Sequence, residues 1–318
     1  MKILFTGASS FTGYWFAKAL AEHGHDVVCT MLRGEADYNG VRGLRVQGLK
    51  TYCELVFNCG FGTPEFLKRI EASSTWDSLC HHAADVSDYK SQDFNVAAAL
   101  ANNTNNLNAT LQALSEGGCQ RIVLTGSVFE ENEGAGSDDL PAFSPYGISK
   151  SATASVFRYQ ANRLGLGLGK FVIPNPFGAF EEPRFTAYLV NTWAKGEVAA
   201  VNTPDYIRDN IHVDLLAAVY VQFVENLAEA GFSQVNPSGY VESQGVFAQR
   251  FAAAMRKRLH AACEVVLNKQ TDFSEPFFRT NTESAERMIA AWNEEAAWDS
   301  IAEFYADRFE VLPETTKA

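Results

Sequence analysis

The sequence is short of positive charge: 26 lysines and arginines stand against 38 aspartates and glutamates, a formal net charge of −12. A surface of that sign repels nucleic-acid backbones and anionic lipid, so neither is expected as a partner; a local basic pocket for phosphate remains open. The six cysteines (Cys29, Cys53, Cys59, Cys80, Cys119 and Cys263) are scattered, with no C-x-x-C pair. That argues against a disulfide scaffold and the common zinc patterns. No apolar run approaches the ~18 residues of a membrane helix, and no charged-then-apolar leader precedes the first strand-like run. A cytoplasmic location with reduced thiols is therefore expected, and the sequon Asn108-Ala109-Thr110 carries no weight. Repeats, low-complexity tracts and linkers are missing as well.

What is present is ordinary globular composition, 47% hydrophobic and 20% charged, in 318 residues. That length suits one large α/β domain with a smaller lobe. Strand-like runs at 2–6, 26–32, 78–84, 121–126 and 170–173 alternate with helical patterns at 13–23, 93–114 and 145–164. Such alternation predicts an α/β fold with a doubly wound parallel sheet covered by helices on both faces. Residues 44–61 read as irregular, with a hairpin as the best description. After 175 the alternation breaks down, and helices are expected at 183–195 (Pro183 in the first turn), 214–230, 243–258 and 282–292. The expected division is a dinucleotide-binding domain at 1–175, to which 205–230 return, and a smaller interleaved C-terminal substrate lobe, mainly 176–318.

The first strand runs into Thr6-Gly7-Ala8-Ser9-Ser10-Phe11-Thr12-Gly13 and then an apolar helix. A glycine permits the tight turn, and the helix N-terminus offers free N–H groups to a pyrophosphate. Ser10 puts a Cβ and a hydroxyl where the backbone would approach phosphate. No acid follows the second strand to hold the adenosine ribose of NAD; Met31 stands there, with Arg33 two residues on. A guanidinium suits the 2′-phosphate of NADP, so NADP is favoured over NAD, the alternative being a solvated Arg33 with Glu35 or Asp37 swinging in. His81 and His82 would point to opposite faces of a strand with no third ligand at useful spacing, so no metal is expected. Another strand delivers Ser127, and Tyr146-Gly147-Ile148-Ser149-Lys150 follows, placing a phenol and an ammonium on one helical face. A phenol with pKa near ~10 is a poor base at neutral pH, and a neighbouring positive charge favours the phenolate.

Glycine turn, strand-end serine and Y-x-x-x-K in this order resemble the extended short-chain dehydrogenases/reductases, the NAD-dependent epimerase/dehydratase family, whose sheet domain is of the Rossmann type. Further segments carry the likeness along nearly the whole chain: His82-Ala83-Ala84; Asn103; Pro174-Asn175-Pro176-Phe177-Gly178; Arg208-Asp209-Asn210-Ile211-His212-Val213; and Arg279 with Trp292. Leu215, Thr282 and Ala291 depart from the pattern. The resemblance implies an NAD(P)-dependent enzyme with Ser127, Tyr146 and Lys150 as catalytic residues. It implies cofactor contacts at Gly7, Ser9, Ser10, Phe11, Thr12, Gly13, Arg33, His82, Ala83, Ala84, Asn103, Tyr146, Lys150 and Pro174. Ser127, Asn175, Arg208 and Arg279 would meet a nucleotide-sugar, Arg208 at its diphosphate, and a homodimer is expected.

Ser127 is followed by Val128 and Phe129, not by the acidic pair of the family's dehydratases, which argues against dehydration. A nucleotide-sugar epimerase and a 4-ketoreductase, both working by hydride transfer with the tyrosine as acid–base, remain open. The alternatives are a catalytically silent cofactor-binding regulatory protein and a reductase of a non-sugar carbonyl. The acidic loop 130–140 is expected to border the substrate.

Overall fold

The structure is a computed structural model and describes residues 1–73, 75–137 and 139–309. Its first half contains β1 (Lys2–Thr6), α1 (Phe11–Glu22), β2 (Asp26–Thr30), α2 (Gly40–Leu49), β3 (Glu54–Val56), α3 (Pro64–Glu71), β4 (Ser78–His81), α4 (Val96–Asn103), α5 (Leu107–Glu116), β5 (Arg121–Ser127), β6 (Ala135–Gly136), α6 (Pro145–Arg163) and β7 (Gly167–Ile173). The second half contains β8 (Asn175–Phe177), α7 (Phe185–Trp193), β9 (Ala199–Val201), β10 (Ile207–His212), α8 (Val213–Glu225), β11 (Phe232–Val235), β12 (Pro237–Ser238), β13 (Tyr240–Ser243), α9 (Gln244–Leu259), β14 (Val265–Leu267), β15 (Phe278–Thr280), β16 (Glu283–Ser284), α10 (Ala285–Met288) and α11 (Glu294–Tyr305).

Seven parallel strands form the main sheet in the order β3-β2-β1-β4-β5-β7-β11. Runs such as Ile3-Leu4-Phe5 and Ile122-Val123-Leu124 are buried throughout, as strands covered on both faces must be. On one face α1 and α8 pack Phe16 flat on Tyr220, ring centres 4.1 Å apart, over Phe171. The other face is filled by Phe66, Leu111, Leu114 and Phe157 of α3, α5 and α6. Strand order reverses between β1 and β4, so the loops leaving their carboxyl ends diverge and open a crevice there.

At Pro174, which has no N–H for a ladder, the chain leaves the main sheet. Then β8 pairs with β10 in a second sheet whose order is β13-β10-β15-β6. The lobe has its own aromatic core of Phe177, Trp193, Phe247, Phe251 and Trp298. Helix α8 and strand β11 return to the sheet domain, so the returning segment runs on to Val235, past the expected residue 230.

Four local expectations are corrected. Residues 44–61 are the end of α2 followed by the parallel edge strand β3, not a hairpin. Three glycines in and around Val41–Leu49 masked the helical period, because glycine is a poor helix former. The helix expected over 93–114 is two, broken where Asn106 takes a left-handed φ of 46°. Pro183 precedes α7 instead of opening it. Within 282–292 the strand β16 comes first and only the short helix α10 follows.

Candidate active site

The turn between β1 and α1 is built by close approach. Gly7 has φ +81°, and a Cβ there would lie 2.6 Å from the Ala83 nitrogen. At Gly13 a Cβ would lie 2.2 Å from the Gly7 oxygen. Phe11 and Thr12, in the first turn of α1, have no acceptor for their N–H groups within their own helix, which fits a pyrophosphate. Ser10 is the N-cap of α1. Its hydroxyl accepts from Gly13 N at 3.1 Å, capping α1, and donates to Gly7 O at 2.9 Å. His82 Nε2 lies 3.0 Å from that hydroxyl and 3.1 Å from the Thr12 hydroxyl, and its Nδ1 lies 2.9 Å from Thr125 Oγ1. Thr6 Oγ1 accepts from Ala83 N at 3.1 Å, so β1, β4 and β5 are tied together at the crevice. Burial, with the positive charge of Lys150 second, pushes both His81 and His82 down to about 3 and keeps them neutral. His81 points away, between Phe61 and Phe157. Among the described residues no cluster of His, Cys, Asp or Glu could hold a metal ion.

The guanidinium of Arg33 is exposed and makes no ion pair among the described residues. The acids that could replace the missing ribose ligand are engaged elsewhere, Glu35 with Lys50 and Asp37 with the Gly34 N–H. Sequence reasoning missed Arg45. It is fully buried in α2, donates to the Ser9 carbonyl at 2.9 Å behind the glycine turn, and pairs with Glu182 of the lobe.

Strand β5 ends at Ser127, 6% exposed, whose hydroxyl accepts from Phe129 N. Helix α6 starts with Pro145 after the capping Ser144, and its first turn packs on this strand end. A Cβ on Gly147 would lie 2.1 Å from the Phe129 oxygen, so glycine is needed for that approach. Lys150 reaches back to donate to Thr125 O at 2.5 Å, two residues before Ser127. Strand β5 and helix α6 therefore bring Ser127 and the Lys150 ammonium to the same strand end, with Tyr146 one helical turn before Lys150. Burial lowers the Lys150 ammonium to about 8; Glu130 opposes this and Lys170 adds to it. Tyr146, edge-on to Tyr89 and Phe94, is moved the other way from expectation: burial first, then the Glu130 charge, push its phenol up, against a smaller pull from Arg184.

Asn103 is buried at the end of α4. Its Oδ1 accepts from Asp85 N at 2.8 Å and its Nδ2 donates to Thr153 on α6, so it braces the loop after β4 against the catalytic helix. The acidic loop 130–140 also turns inward: Glu130 and Glu133 are buried against Lys170, and β6 pairs with β15. Asp138 lies outside the described residues.

Asn175 donates to Asp209 O on β10. Arg208 and Arg279 are register partners on β10 and β15, their guanidinium carbons 5.7 and 5.5 Å from the centre of the Phe143 ring. Arg208 pairs with Glu275 at 2.7 Å, not with Asp205 or Asp209, and also donates to the carbonyls of Ile207, Pro276 and Phe277. Arg279 donates to Glu130 O and Pro141 O, and its Nε is buried without a partner. Trp292 Nε1 is likewise buried without one.

No helix among the described residues is long and apolar enough to cross a membrane. No curated protein matches the sequence. Solved structures similar to this one include the UDP-glucose 4-epimerase of Thermotoga maritima, at 18% identity and a TM-score of 0.73 over 98% of this chain and 100% of the other. The UDP-glucuronic acid 4-epimerase of Bacillus cereus, complexed with UDP-glucuronic acid and NAD, gives 16% and 0.73 over 96% and 99%. Pal from Bacillus thuringiensis gives 17% and 0.73 over the same shares. At these identities the likeness carries the fold. The model of the NAD dependent epimerase/dehydratase family matches residues 3–236, most of the chain and both motif-bearing ends of the crevice, and the chain belongs to that family.

Proposed function

We propose that the chain is a nucleotide-sugar epimerase that works with a nicotinamide coenzyme and uses Tyr146 as its acid–base group. The observation that carries this is the packing of the Tyr146–Lys150 turn on the strand end that presents Ser127, beside the glycine turn. Several structures of the same fold are UDP-sugar 4-epimerases, which supports the substrate class.

The coenzyme would lie against Gly7, Gly13 and the first-turn N–H groups of Phe11 and Thr12, with Ser9, Ala83, Ala84 and Pro174 lining its path. When bound it supplies a hydride acceptor and donor. Tyr146 takes the proton from the sugar hydroxyl as that carbon is oxidised and gives it back on reduction. Ser127 hydrogen-bonds the same oxygen. Lys150, whose ammonium is held by the Thr125 carbonyl, would supply the positive charge at the coenzyme ribose. Arg208 and Arg279 offer the diphosphate two guanidinium groups, the first by exchange of its Glu275 partner.

One observation favours a ketoreductase instead. The unpaired guanidinium of Arg33 suits the 2′-phosphate of NADPH, the coenzyme a net reduction consumes. The test is incubation with UDP-glucose or UDP-glucuronic acid and NAD⁺, followed by proton NMR of the sugar. Formation of the C4 epimer with no net change in coenzyme supports the proposal. Stoichiometric NADPH loss with a 4-keto sugar supports the reductase, and coenzyme binding without turnover of any nucleotide-sugar overturns both. A homodimer through the outer face of α6 fits its exposed Ile148 and Tyr159, and light scattering would test it.

A further inference from the structure

Beneath the end of β5 lies a buried ion cluster. Lys170, in the middle of β7, is 7% exposed and pairs with Glu130 and, at 2.6 Å, with Glu133. Neither glutamate is more than 6% exposed. Charges buried in the centre of a parallel sheet are costly to desolvate, and hydrophobic residues of like size would serve stability as well or better. Every oxygen of the cluster is nonetheless satisfied. Glu130 accepts the Ser127 N–H at 2.8 Å through Oε1 and Lys170 through Oε2. Glu133 accepts Lys170 through Oε1, and Gln234 and Asn236 through Oε2 at 2.9 Å each.

The strand makes room for it. Gly126 is a glycine inside a strand, a position where it weakens the ladder. A Cβ there would lie 2.7 Å from Lys170 Cε and 3.0 Å from Glu130 Oε1. The backbone thus gives up a side chain where the two charged groups pass, directly before Ser127.

The cluster also acts on the catalytic pair. Lys150 on α6 feels the charges of Glu130 and Lys170 in opposite directions. Tyr146 feels Glu130 and Tyr89 raising its phenol and Arg184, just before α7, lowering it. His81 and His82 at the end of β4 stay neutral, and carry no charge into the balance.

We propose that Glu130 and Lys170 are positioning residues of the catalytic centre: their pair anchors the Ser127 end of β5 and sets the fixed charge against which Tyr146 and Lys150 operate. The proposal rests on Tyr146 being the acid–base group of the reading above. Lys170, Glu130 and Glu133 together hold one net negative charge. Glu130→Gln keeps the shape and an acceptor for the Ser127 N–H, but removes the acceptor for Lys170 and that charge. Lys170→Met doubles it. The double variant restores one.

The experiment is an ultraviolet titration of tyrosinate in the NAD⁺-loaded protein, with the Tyr146→Phe protein subtracted to isolate one phenol among the 11 tyrosines. It needs no substrate, so it stands or falls apart from the substrate class. Glu130→Gln should lower the apparent pKa of that phenol by about one unit, Lys170→Met should raise it, and the double variant should return toward wild type. A purely structural role would not give shifts of opposite sign. An unmoved phenol in folded Glu130→Gln overturns the proposal. If that variant does not fold, Glu133→Gln, which lowers the same charge without touching Ser127, must move the phenol the same way by less, and no movement there overturns it too.

Discussion

Arg45 on α2 and Glu182 of the lobe form an ion pair at 2.6 Å, and the same guanidinium holds the Ser9 carbonyl from behind the glycine turn. One buried side chain therefore joins the coenzyme turn to the segment that leads into the substrate lobe. Arg45→Met removes the charge and leaves the Ser9 carbonyl without its donor. Loss of a charged, buried hydrogen bond costs roughly 1–3 kcal/mol. The variant should melt lower and bind NAD⁺ or NADP⁺ more weakly, as calorimetry of both would show. Unchanged coenzyme affinity would mean the brace has no bearing on the turn.

Tyr146→Phe removes the hydroxyl and keeps the ring between Tyr89 and Phe94. Turnover of the nucleotide-sugar should fall by about a hundredfold or more, the usual worth of a general acid–base group. Coenzyme affinity should stay within a few-fold of wild type. Steady-state rates and a coenzyme titration check both, and near-normal turnover would remove Tyr146 from the mechanism.

On the reading proposed for Arg33, coenzyme choice turns on its guanidinium. Glu35 is bonded to Lys50 and Asp37 to Gly34, so both candidate carboxylates for a ribose hydroxyl are engaged. NADPH should bind more tightly than NADH, and Arg33→Ala should erase the difference without changing the melting temperature, because the side chain is exposed. Tighter NADH binding in the wild type would assign the ribose to another group.

Much of this was legible in the sequence because it is local. Gly7 and Gly13 lie in one strand–helix turn, and Tyr146 and Lys150 on one helical face, so spacing alone places them. The rest was hidden because it depends on distant segments. Glu130 is three residues past Ser127 and read as a loop acid; only the crossing of β7 brings Lys170 to it. The lysine in the apolar run Gly167–Ile173 was the available signal. Arg45 gave none, since its partners Ser9 and Glu182 are far away in the chain. Asn103 was found by its position in the family pattern, but Thr153 and Asp85 decide where its amide points.

If Arg208 meets the diphosphate as proposed, the protein's own Glu275 holds it until then. Glu275 occupies one arm of its fork at 2.7 Å, and backbone carbonyls occupy the other. Glu275 is largely exposed, so its attraction is screened and worth about 1 kcal/mol or less. Glu275→Gln should tighten UDP binding by up to several-fold by removing the competing carboxylate. Arg208→Ala should weaken it and also lower the melting temperature, because the carbonyl contacts go with the guanidinium. If neither variant alters UDP affinity, the arginine is structural only.

The last prediction concerns acid. His81, His82 and His212 are each pushed down to about 3, chiefly by burial. Neutral imidazole is also required by geometry: His212 Nδ1 accepts the Asp214 N–H and caps α8, which a protonated ring cannot do. Their folded values lie below the unfolded value near 6.5, so the stability they confer is full above that pH and is lost as pH falls toward 3. Two buried carboxyls act oppositely. Burial raises Asp209 to about 6 and Glu181 to about 7, so their contribution is greatest at low pH and is lost as pH rises through those values. Between about pH 6 and 4.5 the unfolded chain binds three extra protons at histidine and the folded chain two at carboxyl. The net slope is a loss of about 1.4 kcal/mol per pH unit. Below about pH 4.5 the unfolded carboxyls are protonated too, the opposition ends, and the slope steepens toward ~4 kcal/mol per unit. Urea midpoints from pH 7 to 4 should trace that bend. His212→Asn, which keeps a capping acceptor and removes one titrating ring, should flatten the steep limb by about one proton. A profile level down to pH 4 would show that these histidines are not held neutral.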